Sequence, residues 1–187
     1  MLPRDLICTI DNEAASAKLE IQPFFLFSRE QIMSELETHE GGCACGAVRY
    51  RTAGQPEIHA VCHCRYCQLR TGSAFGVGAY FPNANVSLLS GELSEHNYQT
   101  QSGNKVTTCF CKKCGTTTHW QIDSEFLNGK TAIAAGTFDP PSFWFDVNRE
   151  IFMRTKADFV EIDAENKFET SGTYKPIKDD EDRQNPA

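Results

Sequence analysis

Three cysteines lie within six residues near the middle of this 187-residue chain, in a segment 62–67 that reads CHCRYC. Side chains two residues apart in an extended segment point to the same face, so Cys62 and Cys64 can reach one metal ion while His63 points away. We expect Cys67 to return through a two-residue turn and to supply a third sulfur. Zinc with three protein ligands keeps a fourth position for water or substrate, which is typical of a catalytic site. The segment therefore predicts an open zinc site.

A second group of cysteines predicts a closed zinc site. Residues 111–115 read CKKCG, the spacing of a zinc knuckle, in which a glycine after the second ligand lets the backbone fold back toward the sulfurs. Another pair of cysteines, separated by one residue, follows Gly42. Four thiolates complete a tetrahedral set and would staple the start of the domain to its middle. The predicted ligands are Cys43, Cys45, Cys111 and Cys114.

Spacing leaves one alternative topology open, in which Cys109 completes the set formed by Cys62, Cys64 and Cys67. A disulfide framework is the weaker interpretation of the nine cysteines, because an odd number leaves one thiol over in any complete pairing. Cysteines two residues apart on a strand are also poorly placed to bond one another. Cys8 lies outside any ligand spacing. Metal ligation therefore explains the clusters better than disulfide bonding does.

Charge and hydropathy exclude two classes of partner. The net charge of -7 argues against sequence-independent binding to phosphate backbones, which requires clustered Lys and Arg. No apolar run approaches the roughly 20 residues that a membrane-spanning helix needs. The first residues also lack the apolar core of a signal peptide. We therefore expect a cytoplasmic protein that acts on a small molecule, with no nucleic-acid or membrane partner, and the sequence does not indicate an oligomeric state.

From residue 41 the sequence changes to short β-prone runs broken by Gly, Pro and Asn, which predicts a mainly β domain. Upstream, Ser28 and Gln31 form a capping-box pattern that predicts a helix running to about His39. We expect a short helical N-terminal extension over residues 1–40, a zinc-binding β domain over 41–172 and a polar tail over 173–187. The predicted strands are Ala47–Thr52, Ile58–Cys62, Phe75–Phe81, Val86–Leu89, Glu95–Thr100, Val106–Phe110, Thr116–Ile122 and Thr131–Phe138.

Five short motifs follow one another along the chain: 41–50, GGCACGAVRY; 62–67, CHCRYC; 71–75, TGSAF; 110–116, FCKKCGT; and 135–139, AGTFD. In this order they resemble the motif series of the glutathione-dependent formaldehyde-activating enzyme family. The resemblance spans about residues 41–160 and implies that family's coiled antiparallel β-sheets. It implies a structural zinc held by Cys43, Cys45, Cys111 and Cys114. It also implies an active-site zinc held by the catalytic residues Cys62, Cys64 and Cys67.

Two positions depart from the family's pattern. Phe159 stands where a Trp is common, and Glu150 stands where a His is often found. Both belong to the C-terminal part of the expected pocket, so they leave the identity of the substrate open. Among other candidates, we expect His63 to support the ligands or to pack, and His119 to be structural. The basic residues near the cysteines, which could meet substrate carboxylates or lie on the surface, are Arg65, Arg70, Lys112 and Lys113.

The resemblance implies a carbon-sulfur lyase that uses two zinc ions per chain and joins glutathione to formaldehyde, giving S-(hydroxymethyl)glutathione. The open site suits this chemistry, because a thiol that enters the fourth zinc position loses its proton and becomes a nucleophile. One alternative is a non-catalytic zinc-binding module for protein interaction. A second is a dithiol redox protein that uses Cys64 and Cys67, which we disfavour because the sequence indicates no helix after that pair.

Overall fold

The computed structural model describes residues 37–172 and 174–176. Most of the expected N-terminal extension lies outside these residues, as do Cys8 and residues 177–187 of the expected tail. The end of the expected helix is wrong, because Thr38–Gly42 forms a strand, β1. This strand pairs antiparallel with Arg49–Ala53, and that ladder outweighs the local helix pattern. The boundary expected between residues 40 and 41 falls inside β1.

The described part of the chain is mainly β, as the sequence predicts. One short α-helix, α1 at Arg65–Thr71, stands among these residues between the third and fourth strands. No helix in residues 37–172 and 174–176 is long and apolar enough to cross a membrane. The remaining strands are β2 Arg49–Ala53, β3 Ile58–Cys62, β4 Gly76–Pro82, β5 Val86–Ser90, β6 Leu93–Gln99, β7 Lys105–Cys111, β8 Thr117–Asp123, β9 Lys130–Ala134, β10 Arg149–Ile151 and β11 Asn166–Phe168. Short 3-10 turns occupy Asn83–Asn85, Ala135–Thr137 and Met153–Thr155.

The strands form two sheets. The smaller has the order β1-β2-β5, and the larger has the order β11-β10-β3-β4-β9-β8-β7-β6. Most pairs are antiparallel, but β10 runs parallel to both β3 and β11. The larger sheet is therefore mixed, whereas an antiparallel sheet was expected. The chain reaches β10 through a long connection over residues 135–148 rather than a hairpin, and residues 152–165 form the connection that lets β11 run parallel to β10.

Strand β4 separates the apolar core from a cavity. Ala79 and Phe81 are fully buried on its core face, where they pack with residues from the smaller sheet, including Tyr50 and Val86. The alternate residues of β4 line a cavity on the other face of the larger sheet. Residues of β3, β6, β7 and β8 line the same cavity, so this face is concave. The sheet's curvature brings distant parts of the sequence around one cavity.

Helix α1 follows directly on β3 and corrects the expectation of a simple two-residue turn. Cys64 is its N-cap, with extended backbone angles, and Cys67 lies within the helix. Gly72 ends the helix in the left-handed conformation, and its N–H donates to the carbonyl of Gln68 at 2.8 Å. The Thr71 hydroxyl donates to the carbonyl of Cys67 at 2.9 Å. Local capping therefore forms a helix that is too short for hydrophobic periodicity to reveal.

Candidate metal centres and an adjoining cavity

Four cysteines from two distant turns form one cluster. The sulfurs of Cys43, Cys45, Cys111 and Cys114 all lie within 4.8 Å of one another and could hold a metal ion. The Cys43 and Cys45 sulfurs are 3.4 Å apart, and those of Cys45 and Cys111 are 3.8 Å apart. Sulfurs bound tetrahedrally at about 2.3 Å from one zinc ion would lie roughly 3.8 Å apart. The cluster thus fits a closed four-thiolate site.

Backbone groups of the two turns support this cluster. The N–H of Val48 donates to the Cys43 sulfur at 3.2 Å. Gly46 and Gly115, each directly after a cysteine, have positive φ angles of 74°, which lets each turn close. Thr116 joins the two turns, because its hydroxyl accepts from the N–H of Ala44 at 3.2 Å and lies 3.2 Å from the Cys114 sulfur. Hydrogen bonds from the Thr116 side chain and backbone lower the pKa of Cys114 to about 5.

The other cluster contains Cys62, Cys64 and Cys67, whose sulfurs also lie within 4.8 Å of one another. Cys62 ends β3, and the other two lie at the start of α1. Cys109, the alternative fourth ligand, is fully buried on β7 and belongs to neither cluster. Among the described residues, this cluster therefore has three sulfurs, and all three line the cavity.

Arg70 supports the three-cysteine cluster from the end of α1. Its Nη2 donates to the Cys67 sulfur at 3.5 Å, and its guanidinium lies 3.5 Å from the centre of the Trp120 ring. The pKa of Cys67 falls well below its usual range, because Cys62 and Cys64 hydrogen-bond to it and Arg70 adds positive charge. A side chain at Gly78 would come within 2.7 Å of Trp120, so only glycine leaves room for this ring. The fold thus keeps a thiolate and a guanidinium in contact at the cavity wall.

The cavity has a volume of about 360 Å³, within the range of small-molecule sites. Arg70 lies near the cysteines, and Arg149 lines another part of the wall. Among the residues that the structure describes, no Asp or Glu lines this cavity. Burial raises the pKa of Tyr98 to about 12, so its hydroxyl is neutral at physiological pH. Aromatic rings from α1, from three strands and from the turn between β8 and β9 complete the wall: Tyr66, Tyr80, Tyr98, Trp120 and Phe126.

His63 points away from the cavity, as strand geometry predicts. Its Nε2 lies 3.0 Å from Oε1 of Glu150, and both side chains are fully buried. The ammonium group of Lys156 lies 3.7 Å from Oε1 of Glu150, and that of Lys167 lies 3.4 Å from Oε2. The His63 ring also meets the edge of Phe75, with centroids 5.8 Å apart. Glu150 is therefore the partner of His63, which stands between two candidate ligands. The family often has His at the position of Glu150.

The other candidates from the sequence lie outside the cavity. Arg65 and Lys113 are exposed, and Lys112 forms a 3.0 Å ion pair with Glu92 on the surface. His119 is buried on β8, where its Nδ1 contacts the Thr118 hydroxyl at 3.0 Å, so it is structural as expected. Arg149 and Tyr98 line the cavity although no local motif marks them. Arg149 reaches the site through its pairing with Ala60, which is distant in sequence, whereas Tyr98 belongs to the hairpin formed by β6 and β7.

The chain is similar to one protein family and to a solved structure. A family model described as glutathione-dependent formaldehyde-activating enzyme matches residues 38–155. Its limits include β1, both cysteine clusters and β10. Among solved structures, a crystal structure of a Rhodobacter sphaeroides protein aligns with 20% identity and a TM-score of 0.41. That alignment covers 54% of this chain and 88% of the Rhodobacter chain.

Proposed function

Because this chain belongs to the glutathione-dependent formaldehyde-activating enzyme family, we propose that it is a zinc-dependent carbon-sulfur lyase. In the proposed reaction, the sulfur of glutathione forms a bond to the carbon of formaldehyde. The electron pair of the carbonyl moves to oxygen, which takes up a proton, and the product is S-(hydroxymethyl)glutathione. The reverse reaction breaks the same carbon-sulfur bond.

Zinc is the metal that the donor sets favour. Both clusters offer cysteine sulfur alone, a ligand type that selects zinc over the oxygen-preferring Mg²⁺ and Ca²⁺. We assign a structural ion to Cys43, Cys45, Cys111 and Cys114, because four sulfurs fill a tetrahedral site. We assign a second ion to Cys62, Cys64 and Cys67. This gives two zinc ions per chain.

The observation that carries the proposal is the position of the three-cysteine cluster in the cavity wall. Zinc held there would accept the substrate thiol in its remaining position and keep it as a thiolate. Arg70, in contact with Cys67, offsets the negative charge that a further thiolate adds. The buried rings of Tyr66 and Trp120 line this wall and shield groups bound against them from part of the solvent, which strengthens these electrostatic interactions.

The test is to measure whether the substrate sulfur enters the metal site. Calorimetry of glutathione binding in two buffers of different ionisation enthalpy should show release of a proton near neutral pH, because free glutathione is mostly a thiol there. S-methylglutathione should bind far more weakly, since a thioether supplies no thiolate. The visible spectrum of the cobalt-substituted protein should change with glutathione alone. Equal affinity for both compounds, with no buffer dependence and an unchanged spectrum, would contradict thiolate ligation.

The alternative is a non-catalytic zinc module for protein interaction. It predicts no preference for glutathione over S-methylglutathione and no change in the cobalt spectrum. A concave cavity that meets a three-sulfur cluster favours small-molecule binding over this alternative. The sequence indicates no helix at Cys64 and Cys67, and this is wrong, because α1 begins directly after Cys64. The absence of a helix therefore does not count against a dithiol redox protein. The lyase proposal rests instead on Cys62, which a Cys64–Cys67 dithiol would not need. Thiols that remain free of a disulfide after mild oxidation of the zinc-loaded protein would support it.

A further inference from the structure

Arg149 faces the cavity at a position fixed by the parallel pairing of β10 with β3. In this register Arg149 lies opposite Ala60, and Ile151 lies opposite Cys62. All four residues line the cavity. Two residues along a strand span about 7 Å. The backbone of Arg149 therefore lies about 7 Å, measured along the strand direction, from the level of Cys62 in the three-cysteine cluster. A ligand whose sulfur is at the cluster could reach Arg149 with a group several bonds away.

The guanidinium of Arg149 has hydrogen-bonding capacity that the protein does not use. It lies 5.7 Å from the centre of the Phe126 ring, within cation-π range. Among residues 37–172 and 174–176, no hydrogen bond or ion pair engages its side chain, whereas Arg49 and Arg51 are both paired with carboxylates. A guanidinium offers five N–H donors in a planar fork that matches a carboxylate.

The surroundings favour an anion at this guanidinium. The chain has a net charge of -7, yet the described lining of the cavity includes two arginines and no acidic residue. Arg149 also borders an outer cleft that contains Glu57 and Glu125. Glu57 is engaged by Lys130 in a 3.0 Å ion pair. The cavity side of Arg149 is therefore the side where a ligand carboxylate meets no competing acid.

We propose that Arg149 and Phe126 form a carboxylate-binding subsite, which selects thiols that carry a carboxylate several bonds from sulfur. This inference rests on the proposed thiol ligation at the three-cysteine cluster, and it assigns the part of the substrate that the cluster does not contact. Glutathione satisfies the requirement, because its two carboxylates lie at the ends of a tripeptide with the thiol between them. Neutral thiols of the same length do not satisfy it.

The experiment compares two thiols that differ only in the end group, 6-mercaptohexanoate and 6-mercaptohexanol, with the zinc-loaded protein. The unaltered protein should bind the acid about tenfold to a hundredfold more tightly, as expected for a charge-assisted bidentate hydrogen bond. In Arg149→Met this ratio should fall to about one, while the affinity for the alcohol stays within about twofold. Arg149→Lys should keep part of the preference, because an ammonium attracts the carboxylate without matching its fork.

Lys105→Met is the matched control, because it removes an exposed cation on β7 that lines neither the cavity nor the outer cleft. In this variant the ratio of the affinity for the acid to the affinity for the alcohol should equal that of the unaltered protein. A ratio near one in the unaltered protein, or a ratio that survives in Arg149→Met, would overturn the subsite. The S-methyl ethers of both compounds separate the two proposals. Ethers that bind as tightly as the thiols and keep the acid preference would support the subsite and contradict thiolate ligation, whereas ethers that bind more weakly and keep the preference would support both.

Discussion

The imidazole Nε2 of His63 lies 3.0 Å from the Oε1 of Glu150, with both side chains fully buried behind the three-cysteine cluster. His63 stands between Cys62 and Cys64, so this contact fixes the loop that places two candidate ligands. Lys156 and Lys167 extend the contact to the chain that follows β10. The network therefore joins the metal-binding loop to the C-terminal wall of the cavity.

Glu150→Ala should destabilise the fold by about 3 to 5 kcal/mol, because it leaves buried His63 without its partner and removes the carboxylate of the two lysines. Glu150→Gln should cost about 1 to 2 kcal/mol, since the amide oxygen still accepts from His63. Urea unfolding of zinc-saturated protein measures both. The cobalt spectrum of the three-cysteine site should also change in the Ala variant. Equal stability of the Ala and Gln variants would show that the His63 contact does not matter.

Metal analysis should give two zinc ions per chain, lost in two steps on titration with a chelator. The site formed by Cys62, Cys64 and Cys67 should release its ion first, because three protein ligands hold zinc less tightly than four. A chromogenic zinc indicator follows both steps. Protein that contains one ion or none, with seven freely titrating thiols among the clusters, would contradict the assignment.

Cys111→Ser and Cys64→Ser should separate the roles of the two sites. Cys111 is buried in an apolar cluster with Cys43 and Val48, so its loss should lower stability by more than about 3 kcal/mol. Serine is a good helix N-cap, so Cys64→Ser should preserve α1 and cost less than about 1 kcal/mol. It should abolish glutathione-dependent changes in the cobalt spectrum. If both variants unfold equally easily, the distinction between a structural and an open site fails.

His119 should make the fold sensitive to acid. Burial lowers its pKa to about 4 from an ordinary value of 6.5, so the folded state favours the neutral ring. The resulting stability is present above pH 6.5 and is lost as the pH falls toward 4. Between pH 7.5 and pH 5 the loss should be about 2 kcal/mol. His119→Gln should remove this part of the pH dependence, measured by urea unfolding at equal zinc content, and an unchanged slope would contradict it.

Much of this fold follows from local sequence patterns. The predicted strand Ile58–Cys62 coincides with β3, and seven other predicted strands overlap observed ones within a few residues. The cysteine spacing also groups the sulfurs as the structure does. Both signals are short-range, because a strand's alternation and a knuckle's turn depend on residues within a few positions.

The sequence does not reveal the elements that depend on distant pairing. Strands β10 and β11 have three residues each, and they exist because β10 lies parallel to β3. Arg149 enters the cavity only through that register, and Arg70 meets Trp120 only because the larger sheet curves. Strand β1 is absent from the predicted strands for the opposite reason, because a local capping pattern predicts a helix to about His39, over residues that pair with β2.

The two cysteine clusters differ in how far apart their members lie along the chain, and this separates them in time during synthesis. Cys45 leaves the ribosome 66 residues before Cys111. At roughly 5 to 20 residues per second, this amounts to about 3 to 13 seconds. Cys62, Cys64 and Cys67 emerge within about one second of each other. The cavity site can thus take up zinc on the nascent chain, while the first pair of the structural site must wait with exposed thiols that are open to oxidation or to the wrong metal.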